Sequence, residues 1–219
     1  APPLPTPAPT PCTGATCSVL EDPHVVVFDG KQISLLKTQS SIGTDVESLA
    51  DVAGDVWVVR NRNVFVQARY LPDDEADDAH LFVRALAVGG DFLDGNVLVI
   101  GPLNETITWN GRNILAEQES EFEVEGLLTA RRHIDSHRVE DLSATNPGVD
   151  LDLPSGIKMT VNRQPRHVNF AITMSPLEGG QDGLCGNFNG IASDDTVHMV
   201  RFRDNIRVKS DESLFRRGM

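Results

Sequence analysis

Short apolar runs of period two, each ended by Gly, Asn or Asp, recur along this chain and leave room for little besides β-sheet. Val56-Trp57-Val58-Val59, Val64-Phe65-Val66-Gln67-Ala68-Arg69-Tyr70 and Leu81-Phe82-Val83-Arg84-Ala85-Leu86-Ala87-Val88 are rich in β-branched and aromatic residues. Arg60-Asn61-Arg62-Asn63 reads as the hairpin turn between the first two. Gly89-Gly90-Asp91 and Asp94-Gly95 punctuate the chain before a buried strand at 97–100. Asn110-Gly111, between 105–109 and 112–115, is a strong two-residue hairpin signal, because both central residues of a type I′ turn need positive φ. Val25-Val26-Val27-Phe28 is β-rich, and Asp29-Gly30 turns it into 32–36. Further strands are expected at 122–128, 129–134, 138–142 and 168–174, with a hairpin of 149–153 and 157–161 around Pro154-Ser155-Gly156. A last strand is expected at 197–202. Strands at this spacing, joined by such turns, predict an all-β fold of two packed sheets.

The chain has 219 residues, enough for one large domain or two small ones. Its ends differ in composition from its middle. Residues 1–11 alternate Pro with small residues, which favours a polyproline II linker or stalk. The expected organisation is a Pro-rich arm over 1–16, a β domain over 17–200 and a basic tail over 201–219 that reaches out towards an acidic neighbour. The Ala-Pro-Pro-Leu start suits a processed chain. Net charge is −13, which argues against nucleic acid and anionic membrane surfaces as partners. No apolar run approaches the length of a transmembrane helix. Catalytic signatures are absent: there is no Gly-x-Ser-x-Gly elbow, His-Glu-x-x-His, phosphate loop or dinucleotide fingerprint. A non-enzymatic protein is expected.

One loop carries most of the candidate chemistry. Gly183-Leu184-Cys185-Gly186-Asn187-Phe188-Asn189-Gly190-Ile191-Ala192-Ser193-Asp194-Asp195 alternates Asn187 with Asn189, offers a carbonyl at Ile191 and closes on two carboxylates. Ca²⁺ takes six to eight oxygens from such groups and often needs a glycine for the turn. The loop is not an EF-hand, since helical flanks and a terminal Glu are missing. The same residues are also ordinary turn chemistry.

A second stretch changes the weighting. Cys17-Ser18-Val19-Leu20-Glu21-Asp22-Pro23-His24-Val25-Val26-Val27-Phe28-Asp29-Gly30 stands near the opposite end. Taken together, C-x4-D-P-H-x3-F-D-G and G-L-C-G-N-F-N-G-x3-D-D resemble the opening and closing signatures of a von Willebrand factor type D domain. The resemblance implies a two-sheet β-sandwich, a disulfide between Cys17 and Cys185, and a Ca²⁺ site. Its ligands by matching position are Asp29, Asn187, Asn189, the Ile191 carbonyl, Asp194 and Asp195. It also implies a secreted, extracellular module used for assembly or adhesion, with other copies of this chain or matrix and surface proteins as partners. Domains of this family usually carry many more cysteines than the three here, Cys12, Cys17 and Cys185. Cys12 is left over, to be free or to bridge to another chain.

Some relatives cleave a Gly-Asp-Pro-His sequence between Asp and Pro. Glu21 replaces that Gly here, so the Asp22-Pro23 bond is expected to stay intact and His24 to be a hydrogen-bonded structural residue. An autoprocessing module cut at that bond, or a ligand-binding protein that carries this domain, are the alternatives. The acidic stretch at 72–78 reads as a solvated loop, and Arg131-Arg132 as a salt-bridged face. His133 and His137 lie across a strand–turn–strand, which argues against a zinc site. Asn104-Glu105-Thr106 is the one N-glycosylation sequon.

Overall fold

A computed structural model describes residues 14–20, 24–34, 53–72, 81–116, 119–135, 146–197 and 206–216. The Pro-rich arm with Cys12, the Asp22-Pro23 bond, the acidic residues 73–78, His137 and the strand expected at 138–142 lie outside the described residues.

The described residues form two antiparallel sheets. The larger has eight strands in the order β10-β11-β12-β13-β14-β1-β2-β3. These are β1 (Ala15–Leu20), β2 (His24–Val26), β3 (Gln32–Ser34), β10 (Glu121–Val124), β11 (Leu128–Asp135), β12 (Asn146–Asp152), β13 (Lys158–Arg163) and β14 (Val168–Met174). The smaller is a simple meander of β4 (Gly54–Arg60), β5 (Phe65–Pro72), β6 (Leu81–Gly89), β7 (Leu98–Ile100), β8 (Ile107–Trp109) and β9 (Arg112–Ile114). Only one join is non-sequential: β14 pairs with β1, Cys17 opposite Ile172, so the two ends of the domain meet in mid-sheet. The all-β sandwich expected from the strand spacing is the observed fold.

Most turns follow their residues. Asn110 and Gly111 both take positive φ, as a type I′ hairpin demands. The stretch expected as strands 122–128 and 129–134 is instead the hairpin β10–β11, with a turn over 125–127; Gly126 at positive φ makes that turn. The strand expected from Val197 is also corrected at its start. Val197 ends a short helix, α1 (Asp194–Val197), and 198–202 lie outside the described residues.

Strand alternation sets the core. In β13 and β14 every second residue is buried, so Met159, Val161, Phe170 and Ile172 face the other sheet while Lys158 and Thr160 face outward. Two bulges break this period in the smaller sheet. Pairing in β5–β6 runs from Arg69 opposite Ala85 to Tyr70 opposite Val83, so Arg84 is the extra residue. The slip lets Leu81 and Val83 join Leu86 and Val88 in the core between the sheets, although their spacing is odd. A second bulge at Val58 does the same for Val58 and Val59.

The C-terminal residues correct an expectation. A basic tail was expected to reach out of the domain, but 206–216 lies along the outer face of the smaller sheet. Val208 N donates to Asp55 O at 2.9 Å, along the edge of β4. Leu214 and Phe215 then form a second small core with Ala85, Ala87 and Val97. Gln67, fully buried on that face, accepts from Leu214 N at 2.8 Å and donates to Glu212 O at 3.0 Å. Asp55 holds Arg69 at 2.7 Å and Ser213 Oγ at 2.6 Å, and the Arg69 guanidinium lies 4.3 Å from the Phe215 ring centroid. The basic character of 201–219 hides the apolar Leu214-Phe215 pair that drives the docking.

Gln67→Ala should strand the buried Leu214 N, release Glu212 O, and lower unfolding stability by about 1–3 kcal/mol. Urea unfolding of the variant against wild type measures this.

Candidate metal site at the closing loop

Chain order brings the closing loop to the edge of the smaller sheet. Leaving β14, the chain runs along β4: Asp182 and Arg60 exchange backbone hydrogen bonds of 2.9 and 2.7 Å, Leu184 N donates to Trp57 O, and Cys185 N donates to Val58 O. A bidentate ion pair between Arg60 and Asp182, at 2.9 and 2.8 Å, reinforces the join. This segment therefore covers a sheet edge that would otherwise present unpaired backbone groups. Gly183 sits so close that a Cβ would stand 2.6 Å from Val58 O, and its φ of +123° is a glycine conformation.

Cys185, on that segment, is bonded to Cys17 on β1 of the larger sheet, with Cα atoms 5.7 Å apart. Both are fully buried. The disulfide implied by the resemblance is present, and it ties the two sheets to each other.

The first signature meets the loop just beyond this bond. Phe28 N donates to Cys185 O at 3.1 Å, and the Phe28 and Phe188 rings stack with centroids 4.7 Å apart. Asp29 then reaches the loop backbone: Oδ1 accepts from Gly190 N at 3.0 Å and Oδ2 from Asn189 N at 3.2 Å. Phe28 and Phe188 are the residues of this site that sequence reasoning passed over. Both stand inside the signature strings, one position from an Asp or Asn that was picked out.

Within the loop, two side-chain turns repeat. Asn187 Oδ1 accepts from Asn189 N at 3.1 Å, and Asn189 Oδ1 from Ile191 N at 2.8 Å. Both Asn side-chain amides donate to Asp194 Oδ2, at 3.3 and 2.6 Å. Asp195 Oδ1 accepts from Asn187 N at 3.2 Å. Gly186 packs against that carboxylate: a Cβ would stand 2.6 Å from Oδ1, and φ is +85°. Ile191 O accepts from Asp194 N at 3.2 Å, and the Ile191 side chain is exposed. All six residues carried over as ligands thus stand in one constellation, Asp29 arriving from the far end of the chain.

Two oxygens in it have no donor. Asp194 Oδ1 and Asp195 Oδ2 are buried and lack a hydrogen-bond partner among the described residues. Burial pushes the Asp195 carboxyl above its ordinary pKa, and the charges of Asp29 and Asp194 push it further; the Asn187 N–H and Lys31 pull the other way. Buried, donor-less carboxylate oxygens beside further carboxylates suit a hard cation. Among the described residues no three His, Cys, Asp or Glu side chains stand together as a metal-binding group. A cation here would therefore draw on the amide oxygens of Asn187 and Asn189 and on the Ile191 carbonyl as well as on carboxylates.

The other candidates fall elsewhere. His24 is half-buried, and its Nδ1 has no hydrogen-bond partner among the described residues. On the outer face of the larger sheet His133 Nε2 hydrogen-bonds Asn162 Oδ1 at 3.1 Å, and its Nδ1 lies 3.2 Å from Asp150 Oδ2 without making a hydrogen bond. Arg131 pairs there with Glu121 and Asp152, as a salt-bridged face should, while Arg132 donates to Leu115 O. Asn104 is exposed between β7 and β8.

A β-sandwich whose opening strand and closing loop are joined by one buried disulfide is the class of domain that these features define. The model of the von Willebrand factor type D domain matches residues 101–199, which span β8 to β14 and the whole closing loop. Over that segment the chain is similar to the von Willebrand factor type D family, whose domains are typically extracellular modules of adhesion and assembly. No curated protein matches the chain. Among the described residues no helix is long and apolar enough to cross a membrane.

The raised Asp195 value has a sign. The folded chain holds this proton more tightly than the unfolded chain, so its burial penalty is relieved as pH falls through the raised value towards the ordinary carboxylate range. In chelator, the stability of wild type relative to Asp195→Asn should rise as pH is lowered from neutral to about 4, the ordinary Asp range. Urea midpoints measured across that range check it.

Proposed function

We propose that this chain is a secreted, Ca²⁺-stabilised structural module that holds an assembly or adhesion surface in shape. The observation that carries the reading is the pair of donor-less buried carboxylate oxygens, Asp194 Oδ1 and Asp195 Oδ2, in a loop already fastened to Asp29. Asp194, Asp195, Asn187, Asn189 and the Ile191 carbonyl would hold the ion, with Asp29 contributing from the first signature. The ion would supply positive charge where burial and mutual repulsion make carboxylates costly. The chain's own residues do the rest. The Asn187 and Asn189 turns fix the loop backbone, the Phe28–Phe188 stack fixes its depth, and Asp29 anchors its tip.

The family match over residues 101–199 supports the extracellular assembly role, and the buried disulfide is the kind of bond that persists in oxidising compartments. The partners that suit this reading are other copies of the chain, or matrix and surface proteins. The Pro-rich arm and Cys12 suit an assembly subunit.

An extracellular site of this kind is expected to bind in the range of about 10⁻⁴ to 10⁻³ M. At about 10 mM Ca²⁺, roughly ten- to a hundredfold over such a Kd, binding stabilises the fold by about 1.4–2.7 kcal/mol. Thermal unfolding in Ca²⁺ and in chelator should therefore show a Tm that rises with millimolar Ca²⁺ in wild type and does not in Asp194→Ala. A wild-type Tm indifferent to Ca²⁺ would sink the reading.

A further inference from the structure

The loop between β7 and β8 carries a group that the assembly reading leaves unused. Asn104-Glu105-Thr106 is the chain's only Asn-x-Ser/Thr sequence, and all three residues are exposed. The loop that presents them is held from beneath. Arg163, the last residue of β13 and 7% exposed, donates to Gly101 O at 2.8 Å, to Pro102 O at 2.6 Å and to Glu105 O. Leu103 N donates to Gln164 O at 2.9 Å, and Glu105 N closes a turn onto Pro102 O at 3.0 Å. Ile100 and Ile107, both buried, pin the two ends in the core. The Glu105 side chain folds back over Gly101, where a Cβ would stand 2.5 Å from its Oε2. The middle residue of the sequon is thus turned down onto the loop, while Asn104 and Thr106 remain at the surface.

The register places this loop at one end of the sandwich. Arg163 pairs with Val168 at the start of β14. The closing loop belongs to the other end: Ala15 pairs with Met174, and β2 runs past Ser18–Val26 in that direction to deliver Phe28 and Asp29. A group added at Asn104 therefore stands clear of the disulfide and the acidic loop.

We propose that Asn104 is an N-glycosylation site, and that the glycan covers the end of the sandwich opposite the closing loop, leaving the loop end open for assembly. The proposal rests on the extracellular reading above, since the modification needs a secretory route. In the reaction the Asn104 amide nitrogen forms a bond to the anomeric carbon of an oligosaccharide on a polyprenyl diphosphate. The bond from that carbon to the diphosphate oxygen breaks, the diphosphate leaves with the electron pair, and the amide gives up one proton. Thr106 supplies the hydroxyl that defines the acceptor sequence.

The test uses the full chain, secreted from a eukaryotic host behind that host's own leader, so entry to the pathway is supplied. Secreted wild type should carry a glycan mass that peptide N-glycosidase removes, leaving Asp at 104 in the peptide map. Asn104→Gln and Thr106→Ala should be secreted without it, and Thr106→Ser should retain it. If Asn104→Gln fails to leave the cell, the Thr106 pair still separates loss of the acceptor from loss of Asn104. Unmodified wild type in the medium, or a glycan that persists in Thr106→Ala, would overturn the proposal. The Ca²⁺ dependence of Tm, read on the same deglycosylated protein, reports on the assembly reading separately.

Discussion

The Cys17–Cys185 bond is the constraint on which the rest of the domain depends. It closes a loop with a sequence separation of 168, and the chain-entropy model assigns such a cross-link roughly 5 kcal/mol. Its position matters as much as its length. One sulfur stands on a central strand of the eight-stranded sheet; the other stands on a segment that has joined the edge of the six-stranded sheet at Trp57 and Val58. The bond therefore fixes the two sheets relative to each other at the point where the acidic loop begins. Phe28 and Asp29 arrive beside it, so the loop is built on a covalent corner rather than on a free surface turn.

Buried polar groups organise the remaining irregular segments. Gln67 and Arg163 are both buried, and each spends its hydrogen-bonding capacity on backbone of a segment far away in sequence. Gln67 clamps the C-terminal residues onto the outer face of the smaller sheet, and Arg163 gathers the carbonyls of the 101–105 loop. A buried group of this kind is costly if left without partners and specific when satisfied, so each segment is given one place rather than many. Asp194 and Asp195 differ, because each keeps one buried oxygen without a donor. That contrast separates these two carboxylates from Gln67 and Arg163.

Charge is distributed to match. The outer face of the larger sheet carries a run of pairs, Glu121–Arg131–Asp152–Lys158, across four adjacent strands. These are exposed and contribute little to stability. Lys158 and Arg131 hold the Asp152 carboxyl below its ordinary pKa, the Lys158 hydrogen bond being the largest cause. At the acidic loop the balance is reversed, with burial and like charge raising Asp195.

Much of this was legible in the residues. Period-two runs and the Asn110-Gly111 turn report local sterics, which act over a few residues and survive into the fold. The two signatures identified Asp29 and the 187–195 residues as one site, although nothing in their local chemistry says that they touch. The sequence alone determined the strand-rich class, the main turns and which residues gather at the candidate site. Tertiary structure decided the rest. Bulges at Arg84 and Val58 arise from pairing with a neighbouring strand, so no periodicity in the chain announces them. The docking of 206–216 depends on Gln67, Asp55 and Arg69, with hydrogen bonds from Gln67 and Asp55 that span 145 to 158 residues, and its basic composition concealed an apolar anchor. The donor-less oxygens of Asp194 and Asp195 likewise exist only once burial has removed water from them, because satisfaction of a polar group is a property of its surroundings and not of its residue type.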